Sequence, residues 1–133
     1  MKLWGSRLAR LSILLICVLA LYRLFPVVVE QTRGLEACPL LGPVPACYLV
    51  FVGYIAMGVS VVLEPLRSGW LFLSGWLPVF LFALSGTSLE LLGRPTCPRS
   101  ASDVPLCFFS LAIASALLAG FILARRIPSV GKH

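Results

Sequence analysis

The chain has 133 residues, 59% of them hydrophobic and only 12% charged, with a mean hydropathy of +1.00. Soluble domains are about half apolar and about a quarter charged, so this composition excludes a water-soluble globular enzyme and points to one integral membrane domain over residues 1–133. The net charge of +6 raises nucleic acid as a partner, but the basic residues gather at the ends of apolar runs, without a face of interleaved aromatics, which argues against it.

A helix needs about 20 mostly apolar residues to cross the hydrocarbon core. The first stretch of that kind is residues 8–29. It follows Lys2, Arg7 and Arg10, the layout of a signal peptide. It reads instead as an uncleaved anchor, because Tyr22 and Arg23 interrupt the run, it continues to Val29, and no small-x-small site follows. Next comes Cys38-Pro39-Leu40-Leu41-Gly42-Pro43-Val44-Pro45-Ala46-Cys47-Tyr48, then a second apolar stretch at 47–63. The turn Glu64-Pro65-Leu66-Arg67-Ser68-Gly69 is short, which makes the second and third spans antiparallel neighbours.

The third span, 70–92, carries Pro78, which removes a backbone donor and is expected to kink the helix. It also holds the polar run Ser85-Gly86-Thr87-Ser88. Then Cys97-Pro98-Arg99-Ser100-Ala101-Ser102-Asp103-Val104-Pro105-Leu106-Cys107-Phe108 leads into the fourth span, 106–124.

The two cysteine segments share one phrase, C-P-x4-V-P-x-C-aromatic and C-P-x5-V-P-x-C-aromatic. Such a repeat sets the architecture: an all-α, four-span bundle made of two tandem helical hairpins, unit one at 8–63 and unit two at 70–124. Parallel repeats of this kind are related by a pseudo-two-fold axis along the membrane normal.

Lys2, Arg7, Arg10, Arg67, Arg125, Arg126 and Lys132 lie on one side; Arg33, Arg94, Arg99 and nearby Arg23 lie toward the other. The positive-inside rule then puts both termini in the cytoplasm and both cysteine loops in a periplasmic or extracellular space. The expected location is a bacterial inner (plasma) membrane, where outward disulfides persist. Four cysteines allow three connectivities; the pairs Cys38–Cys47 and Cys97–Cys107 close small loops, each worth about 3 kcal/mol as a staple. Cys17 reads as a small buried hydrophobe. A metal site is not expected, since the sole histidine, His133, lies at the opposite end from the cysteine loops.

Helices in lipid associate through small residues. Gly53, Ala56 and Ser60 in the second span, and Ala112, Ala116 and Gly120 in the fourth, are the expected contact faces. Arg23 and Glu90 lie in the outer parts of their spans and form a candidate ion pair joining the two units. Trp4, Trp70 and Trp76 read as interfacial anchors.

Four spans, cytoplasmic termini and two outward cysteine pairs resemble the membrane thiol oxidases of the DsbB and vitamin K epoxide reductase type. The likeness covers the whole chain in layout. It implies that one pair exchanges with a soluble thioredoxin-like protein and another passes electrons to a quinone, with Cys97 and Cys107 in one place and Cys38 and Cys47 in the other. Those families use a C-x-x-C pair, which this chain lacks, and where the DsbB type has an arginine after its first pair this chain has Tyr48 and Leu49.

Cys47 and Cys107 fall at helix N-termini, a setting that favours a thiolate. A relay, however, needs two pairs of different potential, and the two segments are near-copies. The leading expectation is therefore a non-catalytic accessory or scaffold subunit of a larger membrane complex, with structural disulfides, no cofactor, and lipid and other membrane subunits as partners. The alternative is a membrane thiol–disulfide oxidoreductase using quinone and a thioredoxin-like partner.

Overall fold

Backbone groups inside an apolar run must pair within their own segment once water is excluded, and the helix does this. The four runs become α1 (Lys2–Thr32), α2 (Ala46–Val62), α3 (Pro65–Leu91) and α4 (Leu106–Arg126). The computed structural model describes residues 2–126 except 36, 37, 39, 64, 96, 98, 100 and 101, with main chain alone at 2–4, 6, 41 and 65–68. Glu64, Lys132 and His133, and the side chains of Trp4 and Arg67, lie outside the described residues.

Three helices carry segments long and apolar enough to cross a membrane: Arg7–Thr32, Gly69–Leu91 and Leu106–Arg126. The chain is thus all-helical in architecture and membrane-like in composition. At 17 residues α2 is shorter, about 25 Å long at 1.5 Å per residue. The helix at Pro78 continues to Leu91, and α1 likewise runs on past Pro26.

Both helices that lead into a cysteine loop end the same way. Gly34 and Gly93 take φ of +83° and +80°, a left-handed conformation that costs glycine little. Leu35 N–H donates to the Glu30 carbonyl and Gly34 N–H to that of Gln31; Arg94 N–H donates to Leu89 and Gly93 N–H to Glu90. These are the paired bonds of a Schellman cap. The first loop then folds into a small hairpin, β1 (Leu40–Leu41) against β2 (Val44–Pro45), an element the apolar pattern does not announce. Gly42 turns it at φ +65°. In the second loop Arg99 bridges to Pro105, and Asp103 adopts φ 61°, which the short polar side chain of aspartate tolerates.

The four helices close into a ring in which α2 packs on α1 and α3, and α4 on α3 and α1. The core collects in the half away from the loops: Ile13 and Cys17 of α1, Tyr54, Met57 and Val61 of α2, Phe72, Trp76 and Val79 of α3, and Ala114, Leu117 and Phe121 of α4. Trp76 belongs to this core rather than to an interfacial belt. Its Nε1 donates to the Ala114 carbonyl at 2.8 Å and its ring stacks on Phe80, which satisfies a buried indole. Trp70 is 85% exposed, as an anchor would be.

Small residues bring α2 and α3 together. A Cβ on Gly53 would meet the Gly75 carbonyl oxygen at 2.7 Å, and one on Gly75 would meet that of Gly53 at 2.6 Å. Ser60, also fully buried, donates to its own helix at Met57. The α4 face divides. A Cβ on Gly120 would stand 3.6 Å from Ile13 of α1, an ordinary contact distance, whereas Ala112 and Ala116 are exposed. At the end far from the loops, Phe72 and Phe121 stack face to face with centroids 4.0 Å apart, and the Arg125 guanidinium lies 4.9 Å above Phe121 and against Gly69.

Candidate functional site: two disulfides on one apolar cavity

Cys38 is joined to Cys47 and Cys97 to Cys107, each with Cα atoms 6.1 Å apart. The short loops set this pairing, because each returns the chain to the end of the helix it has just left. Cys38 N–H donates to the Gln31 side-chain oxygen, tying the first loop to α1. Cys47 and Cys107 occupy the first turns of α2 and α4, at the positive ends of the helix dipoles.

Cysteines of both pairs, far apart in sequence, border one space. In the loop half of the bundle, where the core gives out, a cavity of about 360 Å³ opens between all four helices. Leu24 and Val27 of α1, Val50 of α2, Val79, Phe82, Ala83 and Leu89 of α3 and Leu106 of α4 make its wall apolar. Ser85 and Ser110 contribute hydroxyls, and Cys47, Cys97 and Cys107 all line it. Gly86 forms the floor beneath the second disulfide: a Cβ there would stand 2.6 Å from Cys107 Sγ and 2.9 Å from Cys97 Sγ. The polar run of α3 thus resolves into separate duties. Ser85 and Gly86 face the cavity and Ser88 donates back to the Leu84 carbonyl. Thr87 is buried with no partner for its Oγ1.

The ion pair expected between Arg23 and Glu90 is replaced. Glu90 Oε1 accepts from Arg99 Nη2 at 3.2 Å, and Arg99 Nη1 donates to Asp103 at 3.1 Å. The reason is depth. Arg23 stands nine residues before the end of α1, Glu90 one residue before the end of α3. That separates them by about 12 Å along similar axes, while the second loop folds Arg99 directly over the end of α3. Arg23 lies instead in an open groove with Tyr22, Phe25, Pro26 and Phe51. The hydrogen bond and charge of Asp103, then the charge of Glu90, raise the Arg99 pKa above its ordinary value. Oε2 of Glu90 is buried without a partner although the side chain is only 10% exposed.

Gln31, Gly34, Gly75, Gly86, Glu90's true partner and Asp103 were not legible as site residues from type alone. One signal was present: Gln31 and Glu90 each precede the first cysteine of their loop by seven positions, and Gly34 and Gly93 by four. Among the described residues no group of three or more His, Cys, Asp and Glu side chains converges as a metal site would require. No protein family, characterised protein or solved structure matches the chain.

Proposed function

We propose that the chain is a membrane thiol–disulfide oxidoreductase, and the observation that carries this reading is the shared cavity. Two staples need not face each other. Here Cys47 of the first pair and both cysteines of the second line one apolar space, the arrangement through which electrons would pass from one pair to the other or to a bound acceptor. The surroundings also differ in charge: a neutral Gln31 holds the first loop, whereas an ionised Glu90–Arg99–Asp103 set holds the second. That difference gives the two pairs grounds for unlike potentials, which a relay requires.

The cavity also fits a quinone by size and chemistry. Small-ligand sites span about 300–1,000 Å³ and are apolar with a few fixed polar groups. Leu24, Val27, Val50 and Phe82 would hold the ring and the start of an isoprenoid tail, with Ser85 and Ser110 as hydrogen-bond partners. A quinone there would supply a sink for two electrons and two protons. The chain's own part is to keep water from the sulfurs, hold Cys47 and Cys107 at helix N-termini, and present a disulfide to a thioredoxin-like dithiol.

In this reading α2 spans the bilayer with α1, α3 and α4, and the two hairpins are tandem copies. The matched glycine caps and the matched positions of Gln31 and Glu90 support the repeat. Arg7, Arg10, Arg125 and Arg126 against Arg33, Arg94 and Arg99 support cytoplasmic termini and outward loops in a bacterial plasma membrane.

A second reading, the accessory subunit, has its own observation. Ala112, Ser115, Ala116 and Ala119 form an exposed strip of small residues on α4, suited to a helix of another membrane subunit. Thiol trapping in intact membranes separates the two. A pair that is partly reduced and shifts with quinone supply supports the oxidoreductase. Two pairs that stay oxidised, with potentials below about −300 mV, reject it and leave the α4 strip, with co-purification in mild detergent as its readout.

A further inference from the structure

Arg23 is the one charged residue of α1 between Arg10 and Glu30. It stands in a segment long and apolar enough to cross a membrane, where a cation without a counter-charge is costly. Both ion pairs among the described residues belong to Arg99, so no described carboxylate pairs with Arg23. Glu30 is seven positions on, about 10 Å farther along the axis. Side chains lean toward the helix N-terminus, which for α1 is away from the loops, so reaching the loop-side surface works against that tilt. A second polar group stands nearby. Pro26 has no N–H, so the Tyr22 carbonyl four positions back loses its helix donor. Tyr22, Arg23 and Pro26 line one open groove of about 930 Å³, with Phe51 of α2 on the other wall.

The groove does not stop at Arg23. Val18 and Leu21 line it and also line a second groove of about 340 Å³ on the same pair of helices. That second groove is almost wholly apolar, with Leu14 on α1 and Ile55, Val59 and Val62 on α2. Gly58 keeps its α2 wall open: a Cβ there would meet nothing nearer than Cys17 Cβ at 3.9 Å. The α1 positions 14, 18, 21 and 25 recur at helical spacing, so they form one stripe. From Phe25 to Leu14 that stripe covers about 16 Å, roughly half of the hydrocarbon core of about 30 Å. A cation therefore heads an apolar channel one leaflet deep.

We propose that the α1–α2 face binds one anionic phospholipid of the loop-side leaflet. Its phosphate pairs with the Arg23 guanidinium, whose planar fork suits phosphate oxygens. A headgroup hydroxyl donates to the freed Tyr22 carbonyl. One acyl chain lies over Leu21 and Val18 toward Leu14. Charge and depth together select this occupant: a helix of another subunit would need no cation here, and a soluble anion would need no channel. The inference is independent of the oxidoreductase reading.

The test is native mass spectrometry of the purified full chain released from detergent, with phosphatidylglycerol added at graded concentrations and phosphatidylcholine as the net-neutral comparison. The wild type should retain one phosphatidylglycerol per chain and hold it more tightly than phosphatidylcholine. Arg23→Gln should weaken that adduct about tenfold, the scale of one charge-assisted hydrogen bond, and remove the preference. Arg33→Gln, which removes the same charge just past the end of the same helix, should leave the adduct intact. Ile55→Trp, which fills the apolar channel, should weaken the binding of both lipids. A wild-type chain that retains no lipid, or equal retention by wild type and Arg23→Gln, would overturn the proposal. Equal losses in Arg23→Gln and Arg33→Gln would also overturn it, as a response to net charge alone. Displacement of the lipid by glycerol 3-phosphate at matching concentration would make the groove a small-anion site, and a dimer in place of the lipid adduct would assign it to a second copy; either result overturns the proposal. None of these outcomes involves the cysteines, so the oxidoreductase reading stands or falls separately.

Discussion

Gly86→Ala tests whether α3 presses on the second disulfide. The added methyl would stand 2.6 Å from Cys107 Sγ, 2.9 Å from Cys97 Sγ and 3.4 Å from Cys107 Cβ. The first two distances are too short for any real contact, so the sulfurs or the helix must move. Overpacking of this kind costs about 1–3 kcal/mol. Alanine also gains about 1 kcal/mol over glycine inside a helix, but that gain is present whether the cysteines are joined or free. The clash is not, because free thiols rotate apart. The net effect therefore falls on the oxidised form. For a two-electron couple about 30 mV corresponds to about 1.4 kcal/mol, so the Cys97–Cys107 potential should rise by about 20–60 mV. The assay is equilibration of the full chain with graded dithiol–disulfide buffers, followed by thiol trapping of each pair. Cys38–Cys47 should not shift. An unchanged second pair, or equal shifts in both, would refute the contact.

Two further predictions concern the scaffold, each read by thermal or denaturant unfolding in detergent. Gly53→Ala should lose about 1–3 kcal/mol, because its methyl would meet Val79 Cγ2 at 2.6 Å and the Gly75 carbonyl at 2.7 Å; Gly120→Ala, 3.6 Å from Ile13, should be neutral or gain up to about 1 kcal/mol, and equal effects would count against the α2–α3 close approach. Gly34→Ala and Gly93→Ala have open space around them but positive φ, so each should cost about 1–2 kcal/mol from backbone strain alone, and a silent pair would mean that the helices do not end in left-handed caps.

Most of the architecture was readable from hydropathy because the physics there is one-dimensional. Long apolar runs become helices wherever they pack, and a cysteine-bounded loop of this length has few ways to close. The boundaries came out within a few residues for α2 and α4, while α1 and α3 extended into the flanking polar turns, since a helix end such as that at Gly34 depends on the backbone more than on hydropathy. What failed was lateral. Which face of a helix looks inward cannot be read when every face is apolar: Trp76, read as an interfacial anchor, lies in the core, and of the α4 small residues expected to meet other helices Gly120 faces α1 while Ala112 and Ala116 lie on the open side. Arg23 was matched to Glu90 on approximate depth, and the competing cation, Arg99, sits in a loop whose path only the folded chain reveals. The cavity itself depends on four helices at once and on Gly86 lacking a side chain, neither of which leaves a local pattern.

The two ends of the bundle are built differently. Parallel Phe72 and Phe121 rings, with Arg125 over Phe121, fill the end opposite the loops, while the loop end holds the cavity. Enlarging Ala83 or Ser110 would therefore fill open space at the loop end, whereas enlarging a neighbour of Phe72 and Phe121 would press on stacked rings.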